Sequence, residues 1–383
     1  MTASSGTSAI TVVPLSPRDT KAFIAFPQRV YQNDPNWIPP LKLERKEFLN
    51  PRKNPFFQEA DGQLFLALYG RQPVGRIAAV INHLHDRQHH ERAGFFGLFE
   101  CLPEPEAATA LFNAATEWVR ERGAAFIRGP LNLSTNELAC GLLVEGFDTP
   151  PVFDSSYNPP YYAEYIESNG FAACKDLLAF IKHYAPLPER VAQAITRLRA
   201  RGTVTVRPIN MRDFTAEVAR IAALYNEAWS ENWGFVPITE AGAQHLAKHL
   251  KLAVIPELTL IAEVNREPVG CFVAIPDMNQ ALRHLHGRLT PWGLLRFFHH
   301  RRRIDTVRVA MVGVKKRYRR LGVNILLLAH VWEQAPLLGY IHGELAWVLE
   351  DNELMIRALE EIGAKPYKRY RLYQKDVVSR RQQ

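Results

Sequence analysis

The sequence predicts an α/β protein written twice, each copy a mixed, mostly antiparallel central sheet flanked by helices. Three observations predict it. At 383 residues the chain exceeds one ordinary core, and domains of about 100–200 residues make two the expectation. LALYGRQPVGRIAAVIN (residues 66–82) and IAEVNREPVGCFVAIPD (residues 261–277) align without a gap, matching Ala67, Arg71, Pro73, Val74, Gly75 and Ala79 with Ala262, Arg266, Pro268, Val269, Gly270 and Ala274. A β-branched run at 307–314 then passes one glycine, Gly322, into an apolar helix, which is the connection a parallel strand pair needs.

Each copy of the repeat reads as a strand, a tight turn at Arg-x-Pro-Val-Gly and a second strand. IESNGF near Gly170 answers LEEIGA near Gly363, each closing a short helix before another strand. The boundary falls in RARGTVTVRP, where Gly202 ends a helix and Val204 opens a strand, dividing residues 1–201 from 202–383. In the second half TVTVRPI is a strand, 213–231 a helix, and 258–275 the hairpin. Residues 306–314 form a strand, 322–334 a helix, 342–349 a strand, 352–361 a helix, and YKRYRLYQK the closing strand.

Composition narrows the class. With 47% hydrophobic and 22% charged residues the chain is globular, not disordered. No apolar run reaches the roughly 18 residues of a membrane-spanning helix. MTASSGTSAITVV lacks the basic and apolar regions of a secretory signal. Cys101, Cys140, Cys174 and Cys271 form no C-x-x-C pair, so neither a disulfide framework nor a structural zinc site is expected, and a reducing cytoplasm fits. HLHDRQHH (residues 83–90) reads as a solvated turn; His83 and His85 lack the three or four convergent ligands zinc requires, so no metal is assigned. A net charge of +8 points to an anionic partner.

The strand-to-helix joint is VKKRYRRLGVN. A helix start leaves about four backbone N–H groups unsatisfied beside the positive end of the macrodipole, and a glycine lets a pyrophosphate approach them. Arg319 and Arg320 precede Gly322, and Ile325, Leu328, Ala329 and Trp332 give the following helix one buried stripe. The joint resembles the R/Q-x-x-G-x-G/A signature of the GCN5-related N-acetyltransferases (GNAT), with Arg319, Gly322 and Asn324 at the three fixed positions and Asn324 departing from the usual Gly/Ala. The element order is that family's over nearly the whole of both halves. The resemblance therefore implies two tandem GNAT-like (acyl-CoA N-acyltransferase) domains. It further implies a coenzyme A pyrophosphate on Arg319, Arg320, Leu321, Gly322, Val323 and Asn324. Pantetheine would lie along residues 310–314, including Val312 and Val314, with Asn352 on the donor side. In the first half Glu100, Glu104 and Glu106 replace the cations and would repel a pyrophosphate, so one coenzyme site is expected, in the second half.

Acyl transfer to an amine needs a base, because a lysine-like amine with a pKa near about 10.4 is mostly protonated at neutral pH. On the strand at 342–349, period two puts His342, Glu344, Ala346, Val348 and Glu350 on one face and Gly343, Leu345, Trp347 and Leu349 on the other. Glu344, inside an apolar strand, is the leading general base, direct or through water, and an ion pair with Arg308 is its structural alternative. Glu350 is the more exposed second carboxylate. An N–H near Val312 or Gly313 is expected to steady the oxyanion. The position that carries an acid-role tyrosine in many GNAT relatives is Leu359, and nothing in the spacing selects among Tyr367, Tyr370 and Tyr373.

GLLVEGFD and NPPYY resemble segments of a group of tandem-GNAT bacterial proteins, which places Tyr157, Asn158 and Tyr161, with Tyr162, at an acceptor cleft; a proline turn with locally packed tyrosines is the alternative. LTPWGLLRFFHHRRRID sets Trp292, Leu294, Leu295, Phe297 and Phe298 beside Arg296 and Arg301 to Arg303, the pattern of an interfacial membrane segment on anionic lipid or of an ordinary core helix. Trp292 and Trp347 complete the expected acceptor contacts. The basic aromatic segment points to a lipid amine, and the resemblance to that tandem-GNAT group implies long-chain acyl transfer from acyl-CoA or an acyl-carrier protein to a sphingoid base. No permanently bound cofactor is expected, and the setting is cytoplasmic or peripheral on the inner membrane. The rival expectations are a small-amine N-acetyltransferase, an aminoacyl-tRNA-dependent transferase and a non-catalytic acyl-CoA sensor. The intact pyrophosphate loop argues against the tRNA enzyme and hence against a nucleic-acid partner.

Overall fold

The structure, a computed structural model, describes residues 9–136, 139–251 and 253–377. Its strands in chain order are β1 (Ile10–Leu15), β2 (Ala60–Tyr69), β3 (Gln72–Asn82), β4 (Ala93–Cys101), β5 (Phe126–Gly129), β6 (Leu142–Glu145), β7 (Ala172–His183), β8 (Thr205–Pro208), β9 (Thr259–Val264), β10 (Glu267–Pro276), β11 (Thr306–Val314), β12 (His342–Leu349) and β13 (Lys365–Asp376). The chain divides into two compact units. The first holds the stretch up to Val144, Ser156–Lys175 and the stretch from Arg371; the second holds Glu145–Ser155 and Asp176–Tyr370.

The two units share one plan. In the first, β1 to β4 run antiparallel in sequence order, β5 lies parallel to β4, and the end of β13 closes antiparallel on β5 with Tyr373 opposite Gly129. In the second, β8 to β11 run antiparallel, β12 lies parallel to β11, and β7 closes antiparallel on β12 with His183 opposite His342. The sixth strand of each sheet is drawn from the other half of the sequence.

Local chemistry accounts for the elements and for where they depart from expectation. The hairpin turns sit at Gly70 and Arg71 and at Asn265 and Arg266, so Pro73 and Pro268 already stand on strands. Asn265 and Arg266 both take positive φ (50° and 66°), the paired left-handed geometry that matches strand twist in a two-residue hairpin. HLHDRQHH is not a turn but the His83–His89 helix, capped by the Asn82 side chain accepting from the Leu84 and His85 amides. His85 is buried, with Nε2 3.1 Å from Glu91 Oε2, and burial pushes its pKa down to about 4. Among the described residues no group of three or more metal-ligating side chains gathers.

In the first unit the Pro105–Glu121 helix buries Ala108, Leu111, Phe112, Ala115 and Val119, the spacing of one helical face. In the second, the Val323–Leu337 helix is apolar on two stripes, not one. Val323, Leu327 and Val331 pack with Leu260, Phe272 and Val307, while Leu328 and Trp332 pack with Phe180, Leu359 and Ile362. Leu359, the position of a family tyrosine, is thus core. Among the described residues no helix is long and apolar enough to cross a membrane.

Candidate active site

The parallel register of β11 and β12 runs from Thr306 opposite His342 to Val309 opposite Leu345 and then stops. Beyond it each strand stays bonded to its outer neighbour, β11 to β10 through Val314 and β12 to β7 through Leu349. Both outer pairings carry an irregularity at this level, between Val273 and Ala274 and between Leu345 and Val348. An extra residue on one strand bends it locally, so the two strands part and open a wedge. Met311 and Val312, on the β11 side, are half-buried. The Val312 carbonyl accepts from Trp229 Nε1 and the Val314 carbonyl from Arg319 Nε, each at 3.3 Å. A carbonyl has two lone pairs, so a ligand amide could share either acceptor.

The irregularity on β12 also overturns the simple alternation expected there. Residues 345 to 348 span the distance covered by 180 to 178 on β7, and one extra residue flips every later side chain to the other face. Val348 therefore joins Leu345 in the same apolar cluster, and Glu350 does not share the face of Glu344. Glu350 is exposed at the strand end, where its carboxylate accepts from the Asp176 amide at 3.0 Å. Trp347 is half-buried within the irregular stretch. Asn352 caps the Glu353–Glu361 helix by accepting from the Met355 amide.

At the helix joint, Lys316–Leu321 forms a 3-10 turn and Gly322 follows in the left-handed region, φ 72°. Gly322 is also the N-cap and offers no side-chain acceptor, so the first amides of the Val323–Leu337 helix keep their anion-binding character. A Cβ on Gly322 would lie 2.5 Å from Leu198 Cδ1, a side-chain end that must shift, but it is the positive φ that favours glycine here. The cations divide. Lys315 pairs with Glu267 (3.0 Å) and Glu227 (3.1 Å), Lys316 with Glu231 (3.1 Å), and Arg317 with Glu267. Glu267 is held low, to about 2, chiefly by the Tyr318 hydroxyl and then by Lys315. Arg319 donates to the Ala228 carbonyl at 3.0 Å. Arg320 is exposed and forms no ion pair among the described residues. Lys315, Lys316 and Arg317 thus have carboxylate partners of their own. Leu321 is half-buried, Val323 is buried and Asn324 is exposed on the first turn.

Glu344 sits fully buried (0%) opposite Arg308 (1%). Its Oε2 lies 3.6 Å from Arg308 Nε, and its Oε1 accepts from the Tyr367 hydroxyl. Arg308 Nη1 donates to the Phe153 carbonyl (2.9 Å) and Ser155 Oγ (2.5 Å). Burial and the Glu344 carboxylate push the Tyr367 phenol far above its usual range. Two more ionisable groups complete the cluster. Burial raises Asp277 to about 6, with amide donors from Phe153 (2.7 Å) and Asn279 (3.2 Å) opposing the shift. Burial lowers Lys368 to about 8 while its ammonium donates to the carbonyls of Gly146 and, at 2.9 Å, Thr149. The sequence left Tyr367 as one of three equal tyrosines and gave no notice of Asp277, Lys368 or Ser155. They come from a loop (Ser155), the residue after β10 (Asp277) and β13 (Tyr367, Lys368), which only the fold brings together.

The expected acceptor residues of the first unit are engaged locally. The Asn158 amide is buried, accepting from the Leu143 amide (2.7 Å) and donating to the Leu143 carbonyl (3.1 Å). Tyr161 donates to the Cys101 carbonyl and Tyr157 to Asp34, both at 2.8 Å. Glu100 is not at the helix joint but inside, accepting from Tyr31 (2.8 Å) and Tyr162 (2.9 Å). In the second unit Trp292 is exposed on the Pro291–Arg301 helix, which Thr290 caps.

No protein-family model matches the chain. It is 37% identical over 375 residues to the bacterial ceramide synthase of Caulobacter vibrioides (strain NA1000 / CB15N), covering 96% of this chain and 97% of that protein. It is 38% identical over 369 residues to Protein YghO of Escherichia coli (strain K12), covering 95% and 94%. Among solved structures, a tandem GNAT protein from the clavulanic acid biosynthesis pathway shares the fold with a TM-score of 0.58 at 12% identity, covering 97% of this chain and 99% of that one. A GCN5-related N-acetyltransferase from Sphaerobacter thermophilus does so with a TM-score of 0.51 at 15% identity, covering 96% of both. The repeated plan of antiparallel strands and a parallel fifth strand is thus the tandem GNAT fold, and the chain belongs to the family that includes the bacterial ceramide synthase of Caulobacter vibrioides.

Proposed function

We propose that the protein transfers a long-chain fatty acyl group from its coenzyme A thioester to the primary amine of a sphingoid base. The observation that carries this reading is the 37% identity to a named ceramide synthase across 96% of the chain. The wedge between β11 and β12, ending at a helix start with an exposed Arg320, supports a thioester donor. In this reading pantetheine runs beside Val312 and Val314, and the pyrophosphate meets Arg319, Arg320 and the amides from Leu321 to Asn324. The amine nitrogen attacks the thioester carbon, the C–N bond forms, the C–S bond breaks, and coenzyme A leaves as the thiolate, which takes a proton from water. Glu344 takes the proton that the nitrogen loses, with Arg308 holding its second oxygen. Glu350 and Asn352 stand at the end of β12 on the donor side, and Trp292 and Trp347 on the acceptor path.

A second reading of Glu344 has one observation in its favour: full burial against Arg308 and Tyr367 suits a residue that positions the cluster. The two readings part in a pH profile. A proton acceptor gives kcat/KM an acid limb that Glu344→Gln removes together with most of the rate, whereas a positioning residue leaves the limb in place.

Four exposed apolar side chains on one short helix, Trp292, Leu294, Leu295 and Phe298, beside exposed Arg296, Arg302 and Arg303, support a peripheral seat on anionic lipid, where a sphingoid acceptor would be found. The test is product mass spectrometry with acetyl-CoA, palmitoyl-CoA and a palmitoyl acyl-carrier protein against sphinganine, 3-oxosphinganine and small amines. An N-acyl sphingoid made from the long-chain donor is the expected product. Acetylation of small amines alone overturns the reading.

A further inference from the structure

We infer that the apolar pocket beneath the Val323–Leu337 helix is the channel for the hydrocarbon chain of the acyl donor. This rests on the long-chain acyl transfer proposed above. The pocket lies wholly within the second unit and is partly open to solvent.

Its inner end is formed by Val309 and Leu345, the last residues of the parallel register, where the wedge begins. A thioester held in the wedge therefore presents its acyl carbon to the head of this pocket. From there the walls descend along Val307, Leu328, Val331 and Ala335. From Leu328 to Ala335 the helix advances about 10 Å, at about 1.5 Å per residue. Hydrocarbon is the ligand class such walls favour, because burying CH₂ groups there is favourable while a polar ligand would find few partners. The lining also reaches Tyr184 and Ile341, both exposed, and exposed Leu337 and Leu338 follow Ala335 along the chain. Unpaid apolar surface thus continues from the pocket onto the protein exterior.

Gly343 marks the channel. It shares the pocket face of β12 with Leu345, and a Cβ there would meet only the Lys182 carbonyl oxygen, at 4.0 Å. Its φ is not in the left-handed region, so neither turn geometry nor a close backbone approach demands glycine at this place. Its effect is to leave the channel wide two residues below the wedge.

The experiment measures kcat/KM for acyl-CoA donors from two to eighteen carbons, together with calorimetric binding of coenzyme A and palmitoyl-CoA. It uses the full chain and the variants Gly343→Leu and Ala335→Leu. The wild type is expected to bind palmitoyl-CoA more tightly than coenzyme A. In Gly343→Leu the ratio of kcat/KM for palmitoyl-CoA to that for octanoyl-CoA falls at least tenfold and the affinity increment of the chain disappears. Ala335→Leu, farther from the wedge, clips only the longest donors. The second variant reads out the channel even if the first fails to fold. Unchanged length profiles and an unchanged increment in the folded variants overturn the channel while leaving long-chain transfer intact. A wild type with no preference for chain length instead overturns the functional proposal itself, before any variant is consulted.

Discussion

Glu344 and Arg308 face each other in register across the parallel pair β11–β12, carboxylate to guanidinium at 3.6 Å, both essentially without solvent contact. Two charges in that setting are expensive to part: removing one partner of a buried pair costs about 3–5 kcal/mol, because the other is left without compensation. Arg308→Met should therefore destabilise the fold by about that amount in urea unfolding. The double variant Arg308→Met with Glu344→Gln should recover part of the loss. A single substitution that leaves the midpoint unmoved would show that the pair contributes nothing.

Turnover is a separate readout at the same residue. If Glu344 accepts the amine proton, Glu344→Gln lowers kcat by about 10²–10⁴. The comparison is made on protein whose unfolding midpoint shows it folded at the assay temperature. Retention of wild-type kcat would assign the carboxylate to positioning.

At the helix joint, Gly322→Ala should weaken coenzyme A binding and destabilise the protein together. The left-handed backbone costs about 1–2 kcal/mol for a residue with a Cβ, and the Leu198 side chain must also move. Arg320→Ala should weaken coenzyme A binding alone, with unfolding unchanged, since that side chain is exposed. Lys316→Ala should change neither, because its pair with Glu231 is solvent-screened. Equal losses of coenzyme A affinity in the two cation variants would contradict this division.

Asp277 gives stability a pH dependence of unusual sign. Its folded pKa, about 6, lies above the value of an exposed carboxyl, so between about pH 4 and 6 the folded state binds more protons than the unfolded one. Its contribution is fully present below about pH 4 and is lost as pH rises through 6, a change on the order of 3 kcal/mol. Asp277→Asn should flatten the stability profile in that window and gain on the wild type above pH 6. Parallel profiles for the two proteins would remove Asp277 from the account.

The Pro291–Arg301 helix should bind vesicles of anionic lipid. Replacing Trp292 (77% exposed), Leu295 (63%) and Phe298 (55%) by serine should abolish sedimentation with phosphatidylglycerol vesicles without lowering Tm. Arg302→Ala and Arg303→Ala should each cost about 1 kcal/mol of vesicle affinity. Wild-type protein that ignores such vesicles at low salt would retire the membrane seat.

The strands that build the wedge were legible residue for residue: 306–314 and 342–349 are the bounds of β11 and β12. Apolar β-branched runs bracketed by charge and glycine define such strands locally. The parallel crossover was legible too, because one glycine and one apolar helix imply it. The site was less so. Period-two reasoning carried Glu344 to its buried place but failed past Ala346, because an irregular pairing is set by the neighbouring strand and not by the strand itself. Tyr367 reaches Glu344 from a strand 23 residues later, and nothing in its spacing separates it from Tyr370. The histidine stretch misled for a different reason: its polarity suggested a turn, while the signal that mattered was Asn82, a helix cap one residue earlier.

The exchange of sixth strands has a consequence for the order of assembly. The sheet of the first unit is finished only when Arg371–Asp376 pairs with β5, some 240 residues downstream of the strand it completes. During synthesis β5 waits with an open hydrogen-bonding edge while the whole second half is still being made, an interval in which such an edge is exposed to mispairing. Excising either repeat at residue 202 would leave the same open edge permanently. Neither half of the sequence holds all six strands of its own sheet.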